Sequence, residues 1–217
     1  RIMTDPADLP VLSPAEARVL GCLIEKKEVT PDVYPMTSNA LLAAANQKTS
    51  REPVMALEPA DISRALSTLQ TKGVVRQQFA SRVERYEHQM AQKFSLTRNQ
   101  SALIGLLLLR GPQTVHELAA RSERMANFAD TDAVRGELDM LIGRHPPLVK
   151  EIGRTPGQRE DRFAHLLCGD VEASAFVPAV ASGATGSSPT IAELEARVAA
   201  LEEQVAALAA RLDLLGN

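Results

Sequence analysis

The chain has 217 residues, of which 45% are hydrophobic and 24% charged, a composition typical of folded globular proteins rather than disordered or fibrous ones. Its net charge of −3 differs from that of strongly basic nucleic-acid binders, and the acidity belongs to residues 171–217, with two basic and six acidic side chains. Because there is no tryptophan and only 3% of residues are aromatic, the composition argues against stacking platforms for single-stranded nucleic acid and against carbohydrate clefts.

Membrane, metal and catalytic signals are weak throughout the sequence. The longest apolar run, residues 102–109, is about half of the roughly 20 residues that cross a bilayer, and no signal-peptide pattern opens the chain. The histidines and cysteines show no metal-ligand spacing, and no nucleophile or phosphate-loop motif occurs. We therefore expect a cytoplasmic protein that is not an enzyme, without membrane contact, metal or cofactor, in which Cys22 and Cys168 are buried.

Helix starts are marked by a reciprocal capping pattern, Ser or Thr followed three residues later by Glu or Gln. Each such pair satisfies two backbone N–H groups that the helix start would leave without partners. The pattern precedes apolar-periodic segments at Ser13–Glu16, Thr97–Gln100, Thr114–Glu117 and Thr190–Glu193.

Residues 12–96 have the element order of a winged-helix domain. Helices are predicted at about 13–27, 37–47 and 59–72, and the third helix ends at Gly73. Two strands, residues 74–79 and 85–89, flank a polar turn and predict a hairpin. Three helices followed by a hairpin is the winged-helix order.

The same order repeats in residues 97–169, with helices at about 97–110, 114–121 and 131–144 and strands at 148–154 and 162–167. The third helices align on a shared apolar stripe, formed by Ile62, Leu66 and Leu69 in one copy and by Val134, Leu138 and Leu141 in the other. The predicted fold is mainly α with small β-hairpins (α+β): tandem winged-helix domains and a C-terminal coiled-coil helix.

The C-terminal part divides into a linker and a heptad segment. Residues 170–189 are rich in Ala, Ser, Gly and Val without a period, which is typical of a flexible linker. Residues 190–215 form a continuous a/d seam, with Ile, Val and Leu at a and Leu at d, which favours a parallel homodimer. The dimerisation positions are Ile191, Leu194, Val198, Leu201, Val205, Leu208, Leu212 and Leu215. The alternative is an amphipathic helix that folds back on its own domains.

A basic segment makes double-stranded DNA a possible partner of the first domain. Short hydroxyls and an arginine on the third helix suit a helix in the major groove, and further basic residues continue into the wing. The candidate DNA-binding residues are Lys48, Arg51, Ser63, Arg64, Ser67, Thr68, Lys72, Arg76, Arg82 and Arg85. The alternative is that these are solvated side chains, and the mixed charges of the second domain's third helix suit a protein contact better.

Four segments carry a family resemblance: Tyr34–Leu41, Asn46–Met55, Leu107–Leu118 and Arg162–Leu166. Together they resemble the YceH-like family of uncharacterised bacterial proteins. The resemblance implies paired winged-helix domains and a DNA-binding or regulatory protein without an established activity. Within the second segment, Lys48 and Arg51 either contact a phosphate or a partner peptide, or belong to an internally bonded structural loop.

Two functions therefore remain open. The first is a DNA-binding or regulatory protein dimerised by its C-terminal coil, and the second is a protein-interaction scaffold that uses winged helices as docking modules. A contiguous basic face joining Arg64, Arg76 and Arg82 would favour DNA, whereas interspersed signs of charge would favour the scaffold.

Overall fold

The computed structural model describes residues 9–78, 83–153 and 160–169. These ranges contain mostly α-helix and two antiparallel two-stranded hairpins, which confirms the α+β class. Internal contacts divide the chain into two units, residues 1–176 and 177–217. The predicted linker, the heptad seam with its capping pair at residue 190, and Arg82 lie outside the described residues.

The described elements follow the predicted order in both halves. The first half contains α1 (Pro14–Val29), a 3₁₀ helix (Pro31–Val33), α2 (Ser38–Ala45), α3 (Pro59–Thr71), β1 (Val75–Gln78) and β2 (Arg85–His88). A short helix, α4 (Met90–Phe94), ends this half. The second half contains α5 (Arg98–Arg110), α6 (Val115–Ser122), α7 (Thr131–Ile142), β3 (Val149–Ile152) and β4 (Arg162–His165). The 3₁₀ helix and α4 were not predicted, because neither is long enough to show an apolar period.

The helix starts form largely as the capping pattern predicts. Reciprocal side-chain and backbone hydrogen bonds cap α1 at Ser13, α5 at Thr97 and α6 at Thr114. Three further helix starts have side-chain hydrogen bonds outside this pattern. The hydroxyl of Thr37 accepts from the third residue of α2, and the carboxylate of Asp130 accepts from the third residue of α7. Before α3, the backbone N–H of Glu58 donates to the carboxylate of Asp61. The pattern applied to the sequence was too narrow, because a Thr or Asp can cap a helix without a Glu or Gln three residues later.

The two halves repeat in detail as well as in element order. The apolar stripes of α3 and α7 are both buried, with exposures of 0–2%. In each half the second strand also pairs with the residue that precedes the cap of the second helix, through the bridges Met36↔Tyr86 and Gln113↔Phe163. In both halves, therefore, one additional residue pairs with the outer side of the second strand.

An arginine at the start of the second strand also has the same partner in both halves. Arg85 donates from Nη1 to the carbonyl oxygen of Pro35 at 2.8 Å, and Arg162 donates from Nη1 to that of Pro112 at 2.9 Å. Both prolines lie two residues before the capping threonine of the second helix. Each arginine thus ties its hairpin to the start of a helix.

Helices α1 and α5 join the two halves at a close crossing. Every residue from Glu16 to Ile24 and from Gln100 to Leu109 is buried, as expected for helices that are covered on all sides. At the crossing, a Cβ on Gly105 would lie 2.7 Å from Cγ2 of Ile24, and one on Gly21 would lie 2.9 Å from Cγ of Leu109. The absence of side chains at these two glycines lets one apolar core run through both halves.

Substitution of Gly105 by alanine tests this crossing. We expect Gly105→Ala to lower the free energy of unfolding by about 1 to 3 kcal/mol, because the new methyl group overlaps a buried side chain. Gly136→Ala is the matched control, since nothing lies within 4 Å of a Cβ at this exposed position of α7. The control substitution should raise the free energy of unfolding by about 1 kcal/mol, because alanine has a higher helix propensity than glycine. Urea unfolding measures both, and equal effects of the two substitutions would contradict the close crossing.

The second strand of each hairpin ends in a histidine, which is buried at His88 and half-buried at His165. Burial lowers the pKa of His88 to about 3, assisted by the nearby charge of Lys27, and lowers that of His165 to about 4. Neither Nδ1 atom has a hydrogen-bond partner among the described residues. Both imidazoles are therefore neutral in the folded protein at neutral pH.

These histidines predict a loss of stability in mild acid. Below the unfolded pKa of about 6.5 the unfolded chain binds protons that the folded chain excludes. The stabilising contribution is complete above this pKa and decreases towards the folded values near 3 and 4. Between pH 7 and 5 we expect a loss of about 2 kcal/mol for each histidine.

Urea unfolding of wild type, His88→Gln and His145→Gln at both pH values measures this loss. His88→Gln should show the smaller loss between the two pH values, whereas exposed His145→Gln should behave like wild type. An unchanged pH dependence in His88→Gln would show that His88 is not the titrating group.

Candidate functional site

Helix α3 presents the polar face that the sequence predicts. Ser63, Arg64, Ser67 and Thr71 are exposed and Thr68 is half-buried. The hydroxyls of Ser63, Thr68 and Thr71 each donate to the carbonyl oxygen four residues earlier, at 3.0–3.1 Å. This face therefore offers hydroxyl oxygens as acceptors and one arginine as a donor.

The cations on α3 and the first strand have acidic partners. Nη1 of Arg64 lies 3.3 Å from Oδ1 of Asp61, one turn away on the same helix. Nε of Arg76 donates to Oε1 of Glu87 at 2.8 Å across the hairpin, where the two residues are direct strand partners. Both arginine side chains remain more than 60% exposed, so these pairs hold them only weakly.

Two further predicted DNA contacts serve the structure of the first half. Lys72 forms an ion pair with Glu16 and donates to the carbonyl oxygen of Val11 at 2.7 Å. Arg85 makes the repeated hydrogen bond to Pro35 described above. Among the described candidates on this surface, Arg64, Lys72 and Arg76 each have a carboxylate partner.

Arg51 is not a surface residue, which corrects its prediction as a DNA contact. Its side chain is completely buried, and its guanidinium lies against the carboxylate of Glu25 at 2.6 and 3.1 Å. Nε donates to the carbonyl oxygen of Ala44 at 3.0 Å. Burial alone would lower the pKa of Arg51, but Glu25 outweighs it and raises this pKa. Arg51 therefore holds the loop after α2 from beneath and cannot reach a phosphate.

Arg18 on α1 is a second buried arginine, and its structural role was not predicted from the sequence. It is 1% exposed and donates to the carbonyl oxygens of Ala45 at 3.1 Å and Pro53 at 2.6 Å, at the two ends of the loop. Burial lowers the pKa of Arg18, because no carboxylate among the described residues pairs with it. The sequence offered one indication of this burial, a single arginine among the apolar residues of α1.

The loop after α2, residues 46–53, is thus fixed on several sides. Asn46 exchanges two hydrogen bonds of 2.8 Å with the backbone of Leu57. The backbone N–H of Glu52 donates to the carbonyl oxygen of Leu109 at the end of α5, at 2.9 Å. The internally bonded alternative describes most of this loop, while Lys48 at its tip is exposed.

The corresponding face of α7 combines acidic groups with an exposed apolar side chain. Asp132, Gly136, Asp139 and Met140 are exposed, and Met140 shows 62% of its surface. Arg135 is neutralised by Asp139 at 2.9 Å and by Glu151 of β3 at 2.8 Å. The net character of this face is acidic around a methionine.

The described residues show neither a metal-ion cluster nor a membrane-spanning helix. No three His, Cys, Asp or Glu side chains among them lie close enough to hold a metal ion. No described helix has the length and apolar character to span a membrane. Cys22 is buried as predicted, with a pKa raised to about 11 by burial, whereas Cys168 is exposed, contrary to the prediction.

Comparison with known proteins gives consistent matches along the chain. The family model described as a protein of unknown function, DUF480, matches residues 12–158. A UPF0502 protein of Mesorhizobium japonicum is 68% identical over 212 residues, covering 97% of this chain and 99% of the relative. A UPF0502 protein of Xanthomonas campestris pv. campestris is 54% identical, covering 99% and 100%, and one of Stenotrophomonas maltophilia is 48% identical, covering 95% and 99%.

Proposed function

We propose that this chain, which belongs to the DUF480 (UPF0502) family that the sequence analysis identified as YceH-like, is a cytoplasmic protein-interaction scaffold rather than an enzyme. In this proposal each half is a winged-helix unit that serves as a docking module. The observation that carries it is the pairing of Arg64, Lys72 and Arg76 with carboxylates on the surface where DNA would bind.

Charge pairing matters because affinity for DNA comes largely from cations that neutralise phosphates and release counterions. A cation that already has a carboxylate partner must exchange it for the phosphate and leaves an acidic group close to the DNA backbone. With Arg51 buried and Arg85 bound to a backbone carbonyl, few of the described candidates are available for such contacts.

The acidic face of α7 indicates which chemical groups a protein partner would present to it. Met140 can enter an apolar pocket, since methionine adapts its shape to a partner surface. Asp132 and Asp139 are exposed on the same helix, and Asp139 also pairs with Arg135 at 2.9 Å. We infer that the partner presents an apolar pocket bordered by lysine or arginine, because complementary charges at the rim guide association.

DNA binding is the second candidate, and one observation favours it. Arg64 projects from α3 with 76% of its side chain exposed, among exposed hydroxyls. Its ion pair with Asp61 is a surface pair of the kind worth about 0 to 1 kcal/mol, which a phosphate or a guanine could replace.

Dimerisation through the predicted heptad seam from Ile191 to Leu215 stays part of the proposal. Two linked copies would present two identical docking faces, which increases binding to a partner with repeated sites. The seam lies outside the described residues.

The scaffold proposal is tested by isolating partners with the full chain from extracts of its own cells after nuclease treatment. Wild type should retain specific proteins, and Met140→Glu should lose them because a charge would enter the apolar pocket. Val33→Glu is the matched control, a similar change at another exposed apolar residue, and it should retain them. A retained protein counts as a partner only if its retention requires Met140 and persists after nuclease treatment.

The competing DNA reading is tested in parallel with duplex DNA at low salt. Binding that weakens in Arg64→Ala and shows a shallower salt dependence there would favour DNA. This result, together with loss of all retained proteins after nuclease treatment, would contradict the scaffold proposal.

A further inference from the structure

A cleft of about 460 Å³ lies where the loop after α2 meets α1, α5 and α6. Its walls come from both halves of the repeat. The α1 and loop side contributes Lys26 and Lys48, and the α5 and α6 side contributes Arg110 and Arg121, with Arg124 just after α6. The close crossing of α1 and α5 and the bonds that fix the loop therefore determine its shape.

Three of the five cations that line this cleft lack the acidic partners that those on α3 have. The other two are paired, Lys26 with Glu25 at 3.3 Å and Arg121 with Glu117 at 3.5 Å. Lys48, Arg110 and Arg124 form no hydrogen bond or ion pair with any described residue. Glu25, the only acidic residue in the lining, is already shared between Arg51 and Lys26. The lining thus holds five basic side chains and one acidic side chain, and positive charge is concentrated here.

Arg110 shows the electrostatic consequence. It is half-buried at the end of α5. Burial lowers its pKa, the nearby charges of Arg121 and Arg51 lower it further, and the charges of Glu52 and Glu25 offset part of this decrease. Arg121 is held in position by Gln113, whose Oε1 accepts from Nη1 at 2.7 Å. An anion between these guanidinium groups would relieve their repulsion.

The remaining lining indicates what accompanies the anionic group. Val29, Leu106, Leu109 and Met125 supply an apolar wall. Hydroxyls are present on the loop at Thr49 and Ser50. A ligand that fits this lining carries a charged group and an apolar body, and the cleft volume lies within the range typical of small-molecule sites.

We propose that this cleft binds a small organic phosphate between the two halves of the protein. Several separate cationic donors match the multiple oxygens of a phosphate or diphosphate better than the two of a single carboxylate. The half-buried position of Arg110 favours a small molecule over a duplex backbone, which would meet only the exposed Lys48 and Arg124. The site is independent of the proposed contact on α7.

The proposal is tested by calorimetric titration of the full chain with inorganic pyrophosphate and with ADP. We expect saturable binding of one molecule per chain, with ADP tighter than pyrophosphate because of the apolar wall. Lys48→Gln and Arg124→Gln should each weaken ADP binding by about tenfold through loss of a charge-assisted hydrogen bond. Both residues are exposed, so neither substitution should disturb folding, which circular dichroism checks.

Arg64→Gln is the matched control, because it removes one positive charge from α3 outside the cleft. It should leave ADP binding unchanged. Absence of saturable binding at low salt, or an equal loss in Arg64→Gln, would overturn the proposal. Equal affinity for pyrophosphate and ADP would overturn the assignment of an organic ligand. If ADP does not bind, but a short DNA duplex binds and its binding requires Lys48 and Arg124, the proposal is wrong and the cleft binds backbone phosphates instead.

Discussion

The close crossing of α1 and α5 is the contact on which the rest of the structure depends. Gly21 and Gly105 allow two helices that are buried on all sides to pack against each other without intervening side chains. One apolar core then runs from the stripe of α3 to that of α7. The crossing also sets the spacing between α1 and α5, and therefore the walls of the cationic cleft.

Buried arginines add a polar layer to this apolar framework. Arg18 and Arg51 bind the carbonyl groups of α2 and its following loop, and Glu25 balances Arg51. A buried charge without such partners would be strongly destabilising, so these groups constrain the loop to one position. The same loop carries Lys48 at the edge of the cleft. Within a few positions, this loop thus contains both a buried arginine that fixes it and an exposed lysine that lines the cleft.

Local patterns predicted much of the fold. The capping pairs at Ser13, Thr97 and Thr114 and the apolar stripe of α3 depend on residues close in sequence, and the structure confirms them. The partners of the candidate site residues could not be predicted in this way. Arg51 and Glu25 are 26 positions apart, and the separation is 56 for Lys72 and Glu16.

Such pairs decide which cations are available to a ligand, and only the packing of helices brings them together. The internal repeat offered one further signal. The arginine at the start of each second strand occurs in both halves, where it binds a proline carbonyl. Aligning the repeats beyond their third helices would have indicated a structural role for Arg85.

Native-state hydrogen exchange of the full chain as a function of denaturant tests most directly whether the crossing of α1 and α5 makes the two halves one cooperative body. If the crossing unites the halves, the slowest amides of α3 and α7 open with the same free energy and the same denaturant dependence. Clearly different opening free energies for these two helices, with one half exchanging while the other remains protected, would show that the crossing does not unite them.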